Sequence, residues 1–137
     1  RIGESQHHHN LTHEEPIDPQ RGYQALVSWF NRRQMEAFAT FVRAFADIHE
    51  GDGTLLDNVL IFAHSDTNNA KLHAIDGVPM MTAGGAGGRL RTGIHVDGNG
   101  DVISRVGLTL QQIMGVPVQT WGAGPMKTSK VIGEILT

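Results

Sequence analysis

The strongest pattern in the chain is a stripe of large apolar residues between positions 23 and 49. These residues recur mainly at spacings of three and four, at Phe30, Phe38, Phe41, Phe45 and Ile48. Such spacing places side chains on one face of an α-helix, which would pack against a core. The segment "EGDG" at 50–53 follows, and its glycines can adopt the positive φ that ends a helix. We therefore predict a long amphipathic helix over residues 23–49.

Two short apolar runs predict buried strands. The first is "NVLIFA" at residues 58–63, and the second is "VPMMTAGG", which begins at Val78. A continuous apolar run without alternation is typical of a strand that is covered on both faces, as in a parallel sheet between helices. We therefore expect the two runs to lie in one mostly parallel sheet.

The remaining pattern completes an α/β fold class. Pro16 and Pro19 mark residues 1–22 as a polar, His-rich loop, and residues 23–137 form the predicted core. The other predicted elements are a small hairpin at 89–103, a helix from 104 or 105 to 114, and a terminal amphipathic helix at 128–136. We predict one α/β unit over residues 1–137. Its few strands need covered edges, so a missing N-terminal half or a partner chain is expected to complete the sheet.

Composition excludes several classes of protein. The 137 residues include 39% hydrophobic residues and no cysteine, and their formal net charge is −3. A chain of this composition is typical of a globular protein, and it has no basic excess that would indicate nucleic acid as a partner. No apolar run approaches the roughly 20 residues that span a bilayer, so no membrane span is predicted. Without cysteine, a metal site would depend on imidazole and carboxylate ligands.

The loop after the first predicted strand carries residues that bind metals. Asp66 and His73 lie there, and His64 is a weaker candidate at the strand end. Ligands of open α/β sheets bind beyond the carboxyl ends of the strands, which is where this loop would lie. Imidazole and carboxylate groups suit zinc, manganese or iron. The alternative is a hydrophilic connector whose Asp and Asn residues only form turns.

The segment "QHHHNLTHEE" supplies further imidazoles. Neighbouring histidines diverge, so we expect one or two of His8 and His9, rather than the whole run, to join Asp66 and His73 around a divalent metal. His13, followed by Glu14, is a weaker candidate. A polar leader without ligands and the remnant of an expression tag are the two alternatives.

The glycine loop "AGGAGGRLRTG" at residues 83–93 has two interpretations. It lacks the Gly-Lys-Ser/Thr ending of a nucleotide-binding P-loop and the spacing of a dinucleotide-binding loop. Arg89 and Arg91 nevertheless make it a candidate site for an anion. The alternative is a turn in which glycine permits close backbone packing.

Several segments together resemble the C-terminal half of an uncharacterised bacterial family, domain of unknown function fifteen-fifty-two (DUF1552). They are "EGDGTLLD", the His73-x-x-x-x-Val-Pro element, "GGAGGRLRTG" and "LTLQQIMGVPVQTWG". The segment "QHHHN" resembles the paired-His element of that family. The resemblance extends from about Gln6 to Gly124.

The family is similar to the alkaline phosphatase and sulfatase superfamily. The resemblance implies a partial α/β sandwich of an exported, periplasmic protein, with a metal centre that hydrolyses phosphate or sulfate esters. By position, it implies His8, His9, Asp66 and His73 as ligands of a divalent metal such as zinc. Where the superfamily often has Asp-His, this chain has Asp66 followed by Thr67. A non-catalytic subunit or interaction module of an extracytoplasmic assembly is the alternative function.

Overall fold

The structure is a computed structural model, and it describes residues 7–137. The chain divides into two compact units. The first unit comprises the described residues up to Arg43 together with His64–Pro79. The second unit comprises Ala44–Ala63 and Met80–Thr137.

The first unit contains helix α1, His8–Glu14, and most of helix α2, Ala25–Ala46. Side chains of the connecting segment cap both helices. The Glu15 carboxylate accepts hydrogen bonds from two amides at the start of α2, at 2.7 and 2.9 Å. The Gln24 amide donates to three carbonyls near the end of α1, those of Leu11, Thr12 and Glu15. These bonds satisfy backbone groups that a helix end otherwise leaves unpaired, so they fix the junction between the helices.

Helix α2 confirms the predicted long helix, and it is shorter than residues 23–49 at both ends. The prediction of a loop over residues 1–22 was wrong for His8–Glu14, which form α1. Local sequence gave no strong helix signal there. Burial of Leu11 and the capping by Gln24 are tertiary contacts that stabilise so short a helix. Residues 1–6 lie outside the described residues.

The apolar stripe of α2 is only partly covered. None of the helix residues is fully buried. Of the stripe, Phe41 and Ile48 are 51% exposed, and Phe30, Phe38 and Phe45 are half-buried. The prediction that this stripe packs into a core was therefore wrong in degree, because its side chains are half-buried or exposed.

Besides the end of α2, the second unit contains two small sheets, two α-helices and two 3-10 helices, Gly124–Met126 and Gly133–Ile135. Strands β1, His49–Glu50, and β2, Gly53–Thr54, form an antiparallel hairpin. Helix α3, Leu55–Asn58, follows it directly. Strand β4, Met80–Ala83, pairs with strand β3, which spans Ile61–His64 and ends at the unit boundary. Helix α4 spans Ser104–Ile113.

The structure bears out the α/β class and shows no parallel sheet sandwich in residues 7–137. The Ser65 amide, just after β3, donates to the Pro79 carbonyl, just before β4. The end of β3 therefore meets the start of β4, which makes the pair antiparallel. Along β3, Ile61 is buried and Phe62 is 38% exposed, so one face of the strand is covered. The expectation of parallel strands covered on both faces was wrong on these points.

Three other predicted elements can be compared with the structure. Helix α4 confirms the helix predicted from 104 or 105 to 114. Residues 89–103 form no hairpin, because Leu90 instead makes an isolated bridge to Leu136 in the C-terminal tail. This pairing also holds the tail extended. A short 3-10 helix, Gly133–Ile135, is all that forms of the terminal helix predicted at 128–136.

The core of the second unit lies between the glycine loop and α4. Ala86, Leu90 and Ile113 are buried there, and four half-buried side chains pack against them: Leu60, Leu110, Ile135 and Leu136. Beside this cluster, the buried Thr109 hydroxyl donates to the Arg105 carbonyl and accepts from the Ile132 amide. The tail is thus tied to α4 by both apolar and polar contacts.

The glycine loop is folded around the end of α3. The amides of Gly85, Ala86 and Gly87 donate hydrogen bonds of 2.8–2.9 Å to carbonyls of residues 56–59. At Gly85, an added Cβ would lie 2.6 Å from the Asp57 carbonyl oxygen. Glycine is therefore required here for close backbone approach, as the packing-turn interpretation of this loop expects.

The acid dependence of stability is expected to involve Asp57, in the first turn of α3. Its carboxylate accepts bonds from the Thr54 amide and hydroxyl, at 2.7 and 2.9 Å. The backbone bond first, and then the hydroxyl bond, hold the pKa of Asp57 below its ordinary value. A lowered folded-state pKa means that the ionised group stabilises the fold above its ordinary pKa. This contribution is lost as the pH falls through the lowered value.

We therefore expect Asp57→Asn to lower the urea midpoint at pH 7 and to have a smaller effect at a pH below the folded-state pKa. Urea unfolding of both proteins across this pH range is the measurement. Asp52→Asn, at a carboxylate to which no described residue donates a hydrogen bond, is the control. An Asp57→Asn effect that is equal at all pH values would contradict the expectation.

Candidate histidine site

Two imidazoles lie on the same side of α1. His9 and His13 are four residues apart, a separation that brings side chains together on one face of a helix. Their ring centroids are 4.8 Å apart, and the rings meet edge to face. His9 is exposed and His13 is half-buried. The short helix thus presents a pair of neighbouring imidazoles.

A third imidazole reaches this pair from the loop after β3. The rings of His13 and His73 are 5.2 Å apart and again meet edge to face. A turn holds His73 in place, in which Asn69 and Ala74 form a bridge and the His73 amide donates to the Ala70 carbonyl. His73 has a φ of 51°, a conformation that is uncommon for a residue with a side chain. We call His9, His13 and His73 the histidine cluster.

The spacing of the rings suits imidazoles that share a metal ion. With a Zn–N bond of about 2.0–2.1 Å, two imidazoles bound tetrahedrally to one ion have centroids roughly 5 Å apart. In residues 7–137, however, no group of three or more His, Asp or Glu side chains is arranged to hold an ion. The edge-to-face contacts mean that the rings would have to rotate to direct their nitrogens at one point. The residues therefore fit a metal in type and spacing, and differ from a bound site in ring orientation.

The two neighbouring histidines predicted as a pair point in different directions. The ring of His8 lies 4.9 Å from the ring of Phe30 on α2. Its Nε2 atom is buried and has no hydrogen-bond partner. His9 instead contacts His13. Successive helical residues are about 100° apart around the axis, since a turn takes 3.6 residues, so the two imidazoles separate.

The other predicted ligands lie in the same unit. Asp66 is exposed in the segment after β3. His64 is exposed at the end of β3, with its Nδ1 atom 3.0 Å from the Ser65 carbonyl oxygen. Their role as ligands stays a prediction.

The two arginines of the predicted anion site lie in the second unit. The Arg89 Nε atom donates to the Ala86 carbonyl at 2.9 Å, and Arg91 is exposed while its amide donates to the Ile135 carbonyl. Three amides of the glycine loop already donate to the end of α3. An anion there would therefore depend on guanidinium groups rather than on a cradle of those amides. This site also stays a prediction.

The sequence contained one signal whose importance only the structure makes clear. The spacing His9-x-x-x-His13 is that of two ligands on one helical face. It had little meaning while residues 1–22 were interpreted as a loop. Helix α1 gives the spacing its significance, and the turn at residues 69–74 selects His73 as the partner.

Comparisons with protein-family models, with curated proteins and with solved structures found no match for this chain. Across residues 7–137, the helices lack the combination of length and apolar character that crossing a membrane requires.

Proposed function

We propose that the protein is a metal-dependent hydrolase domain that acts on phosphate or sulfate esters. The histidine cluster would bind a divalent metal, with zinc as the first candidate, and the exposed Asp66 is the carboxylate that we propose to complete the set. The reaction class, the metal and a periplasmic or otherwise exported location come from the family resemblance. The residues that would hold the metal come from the geometry of the first unit.

The observation that carries this proposal is the contact between His13 and His73. It joins the amino-terminal imidazoles to the loop after β3, two segments that are about 60 positions apart in the chain. Two ring contacts, His9 with His13 and His13 with His73, link three imidazoles. Three imidazoles are a ligand set that would leave one tetrahedral position of zinc open. Half-buried His8 helps to hold α1 against α2, because its ring packs on Phe30.

The chemistry assigned to the chain is limited to its own groups. A divalent metal, when bound, would supply a Lewis acid for an ester oxygen and lower the pKa of a bound water. His9 and His13 would be oriented by α1, which the Gln24 contacts fix against α2. His73 would be oriented by its turn. Rigid support of this kind keeps a ligand set in position.

Metal binding is the direct test. After chelator treatment, zinc titration of the full chain by calorimetry should show one site. His13→Ala and His73→Ala should each weaken binding by at least about 10-fold, since losing even an outer-shell partner costs 10–100-fold. His95→Ala, at an exposed histidine of the second unit, is the matched control. Absence of zinc binding, or an equal loss in His95→Ala, would rule out the site.

Hydrolysis is tested separately, with 4-nitrophenyl phosphate and 4-nitrophenyl sulfate. The expected result is turnover of one ester by the zinc-loaded protein, and loss of turnover with chelator and in His13→Ala. A protein that binds zinc and hydrolyses neither ester would retain the metal site and refute the reaction.

A second function, an interaction module of an extracytoplasmic assembly, is favoured by the exposure of α2. A 22-residue helix with no fully buried residue leaves apolar surface that a partner chain would cover. The two short sheets also present strand edges to which a partner could add a strand. Light scattering of the purified chain tests this proposal, because a well-folded monomer of 14.9 kDa would count against it.

A further inference from the structure

A cavity on the first two turns of α2 has a composition that none of the preceding sites explains. Its volume is about 310 Å³, close to the lower limit for small-molecule sites. The side chains that define its chemistry are Arg21, Tyr23, Ser28, Trp29, Arg32 and Arg33. Three guanidinium groups, two aromatic rings and two hydroxyls, those of Tyr23 and Ser28, therefore share one open cavity within the first unit.

The guanidinium groups differ in how they are held. Arg33 pairs with Glu36 and lies over the Trp29 ring, 5.6 Å from its centroid. Arg21 lies 3.8 Å from Asp18. Arg32 is exposed, and among the described residues no carboxylate pairs with it. The N–H groups of the Arg32 guanidinium are thus available to a ligand. The Arg33 guanidinium is held in place by Glu36 and Trp29.

The aromatic rings of the cavity are accessible to a ligand. Tyr23 is 48% exposed and Trp29 is 39% exposed. The Trp29 ring packs edge to face on the Phe30 ring, with 5.0 Å between the ring centroids, and the Phe30 ring packs on His8. These contacts help to hold Trp29 in position. A rigid, exposed aromatic ring beside guanidinium groups favours ligands that combine a ring with a negative charge.

Two amides at the start of α2 are not available to this site. The Leu26 and Val27 amides already donate to the Glu15 carboxylate. Recognition of an anion here therefore depends on side chains. Guanidinium groups bind the oxygens of sulfate and phosphate in a bidentate manner, and such charge-assisted bonds are stronger than neutral ones.

From this arrangement we propose that the cavity binds an organic monoester anion, with the sulfate or phosphate group at Arg32 and Arg33 and a ring-shaped body against Trp29 and Tyr23. The inference deepens the proposed hydrolase function and rests on it only for the class of ester. Binding at the cavity needs no metal, so its test is separate from that of the histidine cluster.

The test uses chelator-treated full chain in which Trp121→Phe leaves Trp29 as the sole tryptophan, since the sequence has two. Phenyl sulfate and phenyl phosphate are titrated while Trp29 fluorescence is recorded. Inorganic sulfate and phosphate lack the ring, and phenyl glucoside lacks the charge. We expect the phenyl esters to bind at least about five-fold more tightly than any of these, because only they use both parts of the cavity. The tighter of the two esters identifies the preferred anion.

Arg32→Gln should weaken binding of the preferred ester by about 10-fold, the loss expected for a charge-assisted hydrogen bond. Arg43→Gln is the matched control, because Arg43 is exposed on the same helix but does not line the cavity. Phenyl glucoside binding as tightly as the esters, an equal loss in Arg43→Gln, or no fluorescence response to either ester would overturn the proposal. Zinc binding that persists in Arg32→Gln would show that the histidine cluster is unaffected.

Discussion

Gly84→Ala is expected to lower the free energy of unfolding by about 3 kcal/mol or more, within the range of strongly destabilising substitutions. Gly84 has a φ of +95°, and a Cβ added there would clash with the Val59 carbonyl oxygen and lie 3.0 Å from that of Leu56. Both contacts are to backbone atoms, which cannot rotate away as a side chain could. The glycine loop would have to move off the end of α3 and release the hydrogen bonds of its amides.

Chemical unfolding of the full chain measures this effect, and Gly98→Ala is its matched control. Gly98 lies in the same unit, has no positive φ, and an added Cβ would meet nothing within 4 Å. The control should change stability by less than about 0.5 kcal/mol. Similar unfolding midpoints for the two variants would show that the loop does not need its close approach to α3.

Ile113→Ala is expected to cost about 3 kcal/mol, within the 2–5 kcal/mol found for truncation of buried Ile or Leu. Ile113 is 2% exposed and packs with Ala86 and Leu90. Its side chain therefore connects α4 to the glycine loop and to the tail that bridges Leu90. Truncation would leave a cavity in this cluster, and close-packed neighbours collapse into such a space only in part.

Ile75→Ala controls for the loss of the same side chain from a surface position, since Ile75 is 82% exposed. Thermal unfolding should show a fall of about 10 °C for Ile113→Ala and little change for Ile75→Ala. Equal midpoints would mean that the cluster of Ala86, Leu90 and Ile113 does not govern the stability of the second unit.

The histidine cluster illustrates how far a sequence can be interpreted without its fold. The candidates His9 and His73 could be identified from residue type and from their positions beside predicted elements. His13, the central member, was only a weaker candidate ligand, because the significance of its spacing from His9 depends on a helix that local sequence does not favour. A helix of seven residues is marginal in isolation, and contacts from Gln24 and Glu15, outside the helix, stabilise its junction with α2.

The sheet of β3 and β4 also shows what local sequence cannot predict. The existence of β3 and β4 was predictable, because short apolar runs next to glycine and proline are typical of strands. The run predicted at 58–63 nevertheless begins in α3, and β3 spans Ile61–His64. The relative direction of the two strands was not predictable, because one apolar run is compatible with parallel and antiparallel pairing. The contact between Ser65 and Pro79 decides the direction. The conformation of residues 89–103 also depends on a distant segment, since Leu90 pairs with Leu136 near the C-terminal end of the second unit.

The sequence by itself determined the elements whose patterns are local: the long helix α2, the helix α4, the two apolar strands and the glycines of the tight loop. Periodicity and backbone freedom act over a few neighbouring residues, so they can be recognised from the sequence. Tertiary structure decided the strand direction, the extended tail, helix α1 and the meeting of His13 with His73. Each of these depends on a contact between distant segments, and the free energy of such a contact is absent from any short stretch of sequence.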